Sequence, residues 1–389
     1  MSNHTLTLTD KKVLTEAQTG LETHVPLNAD GYDCTTDDLY KVLLGASVQR
    51  NTIETVCAEM VDAPVGSTIR GYLNEQLNVE GVAQLEERLN QALVANLPKR
   101  IGRKPRVIAL DMHDRPYYGK TVQEEGLWVR GRAKNGTTRF YRIATAYVVI
   151  KGLRFTLAIR FVLPEDKPVA VVQQLWGHVA PLSIPLKYLL LDRGFAGMDV
   201  QNYIYEQGTP AIIACPIRGK KGGTRALCRG RKSYRTQHTF SSNGGRKQRT
   251  AELAVCRTFT TAKRTKRLKR RAMWQVFVLI HLEMTPHQVI CSYRRRFGIE
   301  TSYRCANKVR GWTTSPNPVL RFLLMALAVY LVNVWVWLRW LFTQIPRRGR
   351  RKLDEKAFQL ARFAHFITHA LEEHYGVVRQ ITAVAAPLL

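Results

Sequence analysis

Within Tyr293-Arg-Arg-Arg-Phe-Gly-Ile-Glu300 and the following Thr301-Ser-Tyr-Arg-Cys-Ala-Asn-Lys308, one carboxylate, Glu300, stands among Arg294, Arg295, Arg296, Arg304, Lys308 and Arg310. A surface built only for positive charge gains nothing from that acid. A site that holds a metal ion against a phosphodiester needs both groups, carboxylate for the cation and guanidinium for the neighbouring phosphates. Two other acids have suitable settings: Val107-Ile-Ala-Leu-Asp111 and Leu186-Lys-Tyr-Leu-Leu-Leu-Asp192 are apolar runs that each end in aspartate. Two divalent ions ~4 Å apart can activate a water or 3′-hydroxyl and stabilise the leaving oxygen of an in-line phosphoryl transfer. Mg²⁺ prefers carboxylate oxygens and keeps several waters, so three protein acids suffice. Asp111, Asp192 and Glu300 meet that requirement as a set, whereas either aspartate alone reads as a turn cap.

The residues around these acids sharpen the pattern. Asp114 competes with Asp111 as the first ligand; Asp111 closes the apolar run and is preferred, and Asp114 then reads as a turn residue. His113 between them could touch metal or phosphate, or be a loop histidine with a local hydrogen bond. Arg193 beside Asp192 can pair with phosphate, and Gly194 permits a sharp turn close to a ligand. Tyr293, Arg296 and Glu300 share roughly one helix face, which sets phosphate contacts beside the metal. Lys308 either extends that face or is a solvated lysine, and Trp312 either stacks on an unpaired base or packs in the core.

Positioning these groups requires a sheet. From Thr36 to Pro98 the spacing predicts helices: Thr35, Thr36, Asp37 and Asp38 precede Leu39, Val42 and Leu43, and Leu85, Leu89, Leu93 and Leu97 recur at four-residue intervals. Gly66-Ser-Thr-Ile-Arg-Gly-Tyr-Leu could open the recognition helix of a helix-turn-helix, or be part of a plain bundle. After Pro98 the pattern changes. A strand ends at Asp111, and Tyr141–Ile150 pairs with Leu153–Val162 through a Lys151-Gly152 turn. There follow a helix near 170–176, the strand ending at Asp192, a helix near 198–206 and a strand at 210–214. Three strands, a helix, a strand, a helix and a strand is the element order of an RNase H-like α/β fold, a mixed sheet flanked by helices. Carboxyl ends of adjacent strands converge on one crevice in such a sheet, which lets Asp111 and Asp192 share a ligand.

Composition points to a polyanionic partner. The 389-residue chain carries 59 Lys+Arg against 30 Asp+Glu, a formal charge of +29. Between Arg218 and Arg271 there are 19 basic residues and one acid, Glu252. Aromatics are sparse in that tract, so salt-sensitive contact with duplex phosphates suits it better than base stacking. The seven scattered cysteines include no C-x-x-C pair, which argues against a disulfide framework or zinc site and fits a cytoplasmic, nucleoid-associated protein. Phe322–Leu338 is uncharged, but at 17 residues it is short for a span. It is read as a buried helix covering a sheet face or a partner subunit, with no membrane association. The resulting organisation is a loose arm at 1–35, a helical, candidate DNA-end-binding domain at 36–98, and a catalytic core at 99–215 and 284–345. A basic β-rich insertion occupies 216–283, and a basic hinge with a C-terminal helix occupies 346–389.

The chain resembles the DDE transposases of prokaryotic insertion sequences, in the group with the signature Y-x-x-R-x-x-x-E-x-x-x-x-x-x-K, and especially archaeal, halobacterial members. Tyr293, Arg296 and Glu300 match the spacing; the lysine position is Asn307, with Lys308 one residue later. Asp192-Arg-Gly-Phe195 matches the second-aspartate motif and Asp111 the first. The similarity runs over about residues 100–345. It implies an enzyme that cuts the terminal inverted repeats of its element and joins the 3′-hydroxyl to target double-stranded DNA. Asp111, Asp192 and Glu300 would hold two Mg²⁺ or Mn²⁺ ions, and Tyr293 and Arg296 would contact terminal phosphates. Arg193, Arg304, Lys308 and Trp312 are further candidate DNA contacts, and a homodimer on DNA is implied. The rival readings are an RNase H-like structure-specific nuclease and a non-enzymatic basic DNA-binding protein.

Overall fold

A computed structural model of the chain describes residues 7–119, 127–150, 153–219, 222–242, 245–263, 268–297, 303–345, 352–354 and 356–380. Two compact units emerge, Lys99–Thr301 and a helical unit formed by Met1–Pro98 with Ser302–Leu389. Glu300, the Lys151-Gly152 turn and residues 346–351 of the basic hinge lie outside the described residues.

The helical unit begins with α1 (Asp10–His24), α2 (Thr36–Gln49), α3 (Ile53–Ala58), α4 (Gly66–Gln76) and α5 (Val82–Val94). The loose arm expected at 1–35 is corrected by α1. The Thr9 hydroxyl accepts from the Lys12 N–H, and Val13, Leu14, Ala17 and Leu21 recur on one face and are buried. The chain stays helical there because that stripe has partners, chiefly the C-terminal helix. At the start of α2 the Thr35 side chain accepts from the Asp38 N–H while Asp38 accepts from the Thr35 N–H, a reciprocal cap.

In the sheet unit the strands are β1 (Arg106–Pro116), β2 (Val129–Lys134), β3 (Thr137–Ile150), β4 (Leu153–Val162), β5 (Leu186–Leu191), β6 (Ala211–Cys215), β7 (Tyr234–Ser242), β8 (Lys247–Lys263) and β9 (Leu268–Ile280). Its helices are α6 (Pro168–Val179), α7 (Met198–Glu206) and α8 (Pro286–Arg294). The strand order is β2-β3-β1-β5-β6-β9-β8-β7, with β4 also paired to β3. β1, β5 and β6 run parallel while β3 and β4 alternate, the RNase H-like arrangement expected from the element order. Two expectations change. The first strand does not stop at Asp111 but continues to Pro116, held by pairing from Val107↔Val149 to Pro116↔Phe140. The basic insertion does not stand apart from the core sheet. Its β9 pairs antiparallel with β6 from Val276↔Cys215 to Ile280↔Ala211, and β8 and β7 prolong the same sheet.

The helical unit closes with α9 (Pro318–Phe342) and α10 (Leu360–Tyr375). α9 is long and apolar enough to cross a membrane, yet 89% of its most apolar window is buried. Its cover comes from α1, α2, α5 and α10 of the same unit, in place of the sheet face or partner subunit expected from sequence. The Tyr330 hydroxyl donates to the Ala17 carbonyl and the Asn333 amide to that of Leu93, so these two buried polar side chains of the core helix are satisfied. Residues from 303 onward thus belong with the N-terminal helices, whereas the sequence grouped 284–345 with the sheet.

Candidate active site

Register brings the two aspartates together. Leu110 pairs with Leu191 across the parallel β1–β5 ladder, so the next residues, Asp111 and Asp192, lie at one level on neighbouring strands, roughly 4.8 Å apart in the pairing direction. Asp192 leaves the sheet there and precedes a tight turn, Arg193–Phe195. Alternation along β1 then separates the rival acids. Met112 and Asp114 line a pocket with Pro168 and Val171 of α6, so Asp111, one residue out of phase, faces the other side. Asp114 is no turn residue. It sits opposite Arg142 on β3 and accepts a two-pronged ion pair at 2.6 and 3.1 Å. His113 is likewise on the strand rather than in a loop, in register with Ile143.

From the other face α8 delivers the remaining groups. It starts at Thr285, whose hydroxyl accepts from the Gln288 N–H while the Gln288 side chain accepts from the Thr285 N–H, with Pro286 in the first turn. The α-helix ends at Arg294, and Arg295–Phe297 form a tighter 3₁₀ turn, so the single continuous helix face expected for Tyr293 and Arg296 is replaced by a stacked pair. Side chains three residues apart eclipse in that geometry, and the Arg296 guanidinium lies 5.3 Å from the Tyr293 ring centroid. The Tyr293 hydroxyl reaches the Leu191 carbonyl at 3.4 Å and Asp192 Oδ1 at 3.5 Å, while its ring rests on Phe277 of β9 with centroids 4.8 Å apart. Arg296 bridges both acids: Nη1 is 3.1 Å from Asp111 Oδ1, and Nη2 is 3.3 Å from Asp192 Oδ1. Nε and Nη1 are buried and not aligned for any hydrogen bond, so the contact to Asp111 is Coulombic more than directional.

The charges respond to this burial. Loss of water pushes the Asp111 carboxyl up to about 6; Arg296 opposes the rise and neighbouring Asp192 adds to it. Burial also works against the Arg296 charge, but Tyr293, Asp111 and Asp192 more than offset it and hold the guanidinium protonated. The two shifts conflict for one ion pair, since a pair favourable to both partners would lower the acid. Desolvation decides it: Asp111 is only 8% exposed, and one shared guanidinium does not repay the water it has lost. Burial likewise raises the Tyr293 phenol, which stays neutral.

These groups border a cleft of about 320 Å³, lined by Asp192, Arg193, Gln275, Phe277, Tyr293 and Arg296 among others. Gln275 and Phe277 escape the sequence reading although they lie in the insertion read as β-rich; their role depends on β9 docking beside β6. Arg193 is exposed at the cleft, but Gly194 has no left-handed backbone, and a Cβ there would meet only Met112 Cε at 3.7 Å. The sharp turn expected of Gly194 is therefore open to other residues. Arg304, Lys308 and Trp312 belong to the helical unit, and all three are exposed. Among the described residues no three metal-ligating side chains gather, and Glu300 lies outside them. The oxygen donors of Asp111 and Asp192, adjacent and short of positive charge, nevertheless fit a hard divalent ion.

Residues 102–332, well over half the chain, match the family model described as Transposase DDE domain. The chain belongs to the DDE transposase family. This transposase is also similar in structure to a piggyBac transposase, seen by cryo-EM in a synaptic complex with hairpin DNA. The TM-score is 0.57 at 8% identity, over 94% of this chain and 78% of that one, a likeness of fold. No curated protein sequence matches the transposase. DDE transposases as a family use divalent metal ions, in keeping with the paired aspartates.

Proposed function

We propose that this transposase cuts the ends of a mobile DNA element and transfers the freed 3′-hydroxyl strand into target DNA, with Asp111, Asp192 and Glu300 as carboxylates for two Mg²⁺ or Mn²⁺ ions. The observation that carries the proposal is the convergence of Asp111, Asp192 and the Tyr293–Arg296 pair from three chain segments, with Asp192, Tyr293 and Arg296 lining one cleft. Such ions, when bound, would polarise the scissile phosphate and the attacking and leaving oxygens. The protein's own groups do the rest. Asp111 and Asp192 concentrate negative charge at one level of the sheet, and Arg296 offsets part of it. Tyr293, too buried to ionise, orients the Asp192 carboxylate through its hydroxyl. Arg193 at the cleft can hold phosphate oxygens with a guanidinium, which matches their geometry. Arg304, Lys308 and Trp312 would add DNA contacts from the helical unit, and we infer a homodimer holding two element ends. The DNA complex of the piggyBac transposase supports a DNA partner.

Joining of pre-cut element ends to a target plasmid in Mg²⁺ tests this reading. The expected result is a strand-transfer product from the wild-type chain, lost in Asp111→Asn, Asp192→Asn and Glu300→Gln while end binding persists. Hydrolysed ends without joined product would make the protein a nuclease, and a fully active Glu300→Gln variant would remove Glu300 from the site.

A further inference from the structure

The cleft beside the aspartates contains a polar side chain that neither metal binding nor phosphate binding uses. Gln275 lies on β9 two residues before Phe277, and strand alternation puts both on one face. Two contacts fix which face that is. The Phe277 ring rests on Tyr293. Cys256, directly opposite Gln275 on β8, brings its Sγ to 3.5 Å from the Pro286 carbonyl, where α8 begins. Gln275 therefore points to the α8 side, into the cleft bounded by Asp192, Arg193, Tyr293 and Arg296.

Position and chemistry both single out this amide. β9 pairs with β6 only as far as Val276↔Cys215, so Gln275 is the first residue of β9 that β6 no longer borders. Next on the same face, Met273 is 42% exposed, and the strip runs on towards solvent. Gln275 itself is half-buried, and among the described residues its amide meets no hydrogen-bond partner. A glutamine amide presents donors and an acceptor side by side. Phosphate oxygens, for which Arg193 already supplies donors, would leave the Gln275 acceptor unused. A base edge with a donor beside an acceptor satisfies both halves at once, and N6 with N7 of adenine is the matching pair.

We propose that Gln275 is a specificity-determining residue that reads the edge of an adenine in the nucleotides next to the scissile phosphate. The proposal rests on the DNA-cutting reading above and deepens it, since the cleft then selects the position of the cut as well as holding it. Contacts to the backbone, such as that of Arg193, carry no sequence information; the amide beside them supplies it.

The test uses the full chain and duplex element ends whose base pairs nearest the cut are randomised, bound in EDTA so that no cutting is needed, and sequenced. Wild type should enrich adenine at one position by roughly tenfold over other bases. Gln275→Ala should lose that preference and keep those at other positions. Gln275→Glu should move it to cytosine, whose N4 amine donates to a carboxylate. With 7-deazaadenine at the selected position, which lacks the N7 acceptor, wild type should bind several-fold more weakly and Gln275→Ala should not respond. A variant that misfolds loses every preference together, and the modified base on wild type then decides. No adenine preference in wild type, one that survives Gln275→Ala, or indifference of wild type to the modified base overturns the assignment. Strand joining in Mg²⁺ is read separately: a chain that selects adenine through Gln275 yet joins nothing keeps the contact and loses the transposition reading.

Discussion

Replacing Asp111 by asparagine removes an acid that the proposed chemistry requires and that the fold tolerates poorly, so the two effects should separate. The carboxyl is raised from the ordinary 3.8 to about 6. At about 1.4 kcal/mol per unit, its ionised form costs the folded state about 3 kcal/mol. The sign follows from proton binding. Below pH 3.8 the group is protonated in both states and contributes nothing. Between 3.8 and about 6 the folded chain holds a proton that the unfolded chain has released, so stability falls as pH rises. Above about 6 the whole penalty is present. Asparagine keeps the shape of the neutral acid and carries no such slope. Denaturant unfolding in EDTA between about pH 4 and 8 should therefore show Asp111→Asn up to about 3 kcal/mol more stable near neutrality, with the gap closing at the acid end. DNA cleavage should be lost at every pH. Adding Mg²⁺ should stabilise wild type and not the variant, narrowing the gap through ligand linkage. A variant less stable than wild type near neutrality, or a gap that ignores pH, would refute the reasoning.

Two further outcomes test neighbouring assignments. Asp114→Asn should leave cleavage intact and cost up to about 1 kcal/mol by denaturant unfolding, since its ion pair with Arg142 is about one-third exposed on each side. Leu21→Ala in α1, 3% exposed, should destabilise the helical unit by about 3 kcal/mol, whereas a loose arm would lose nothing.

Much of the site is legible in the sequence because its cues are local. Short apolar runs ending in Asp111 and Asp192 mark neighbouring buried strands, and the three-residue step from Tyr293 to Arg296 marks a shared face. The full length of β1 is hidden, since Met112-His-Asp-Arg-Pro116 alternates polar groups as a loop would, and only pairing with β3 makes it a strand. Asp114 reads as a turn residue for the same reason; its partner Arg142 is 28 positions away. The docking of β9 beside β6 joins residues that a whole basic insertion separates, and α1 depends on a helix at the far end of the chain. Local periodicity carries no information on either.

The contact of Phe277 with Tyr293 limits how this enzyme can be recombined with its relatives. An insertion that forms the floor under Tyr293 is not a cassette, and exchanging 216–283 wholesale would replace part of the candidate site with foreign backbone. Past the last β6 pair, Val276↔Cys215, and the last β7 pair, Val255↔Tyr234, β8 and β9 pair with each other as a two-stranded arm from Cys256↔Gln275 to Lys263↔Leu268. That arm is the natural graft junction: chimaeras spliced beyond it would change how DNA is handled while leaving the chemistry of the aspartates in its native setting.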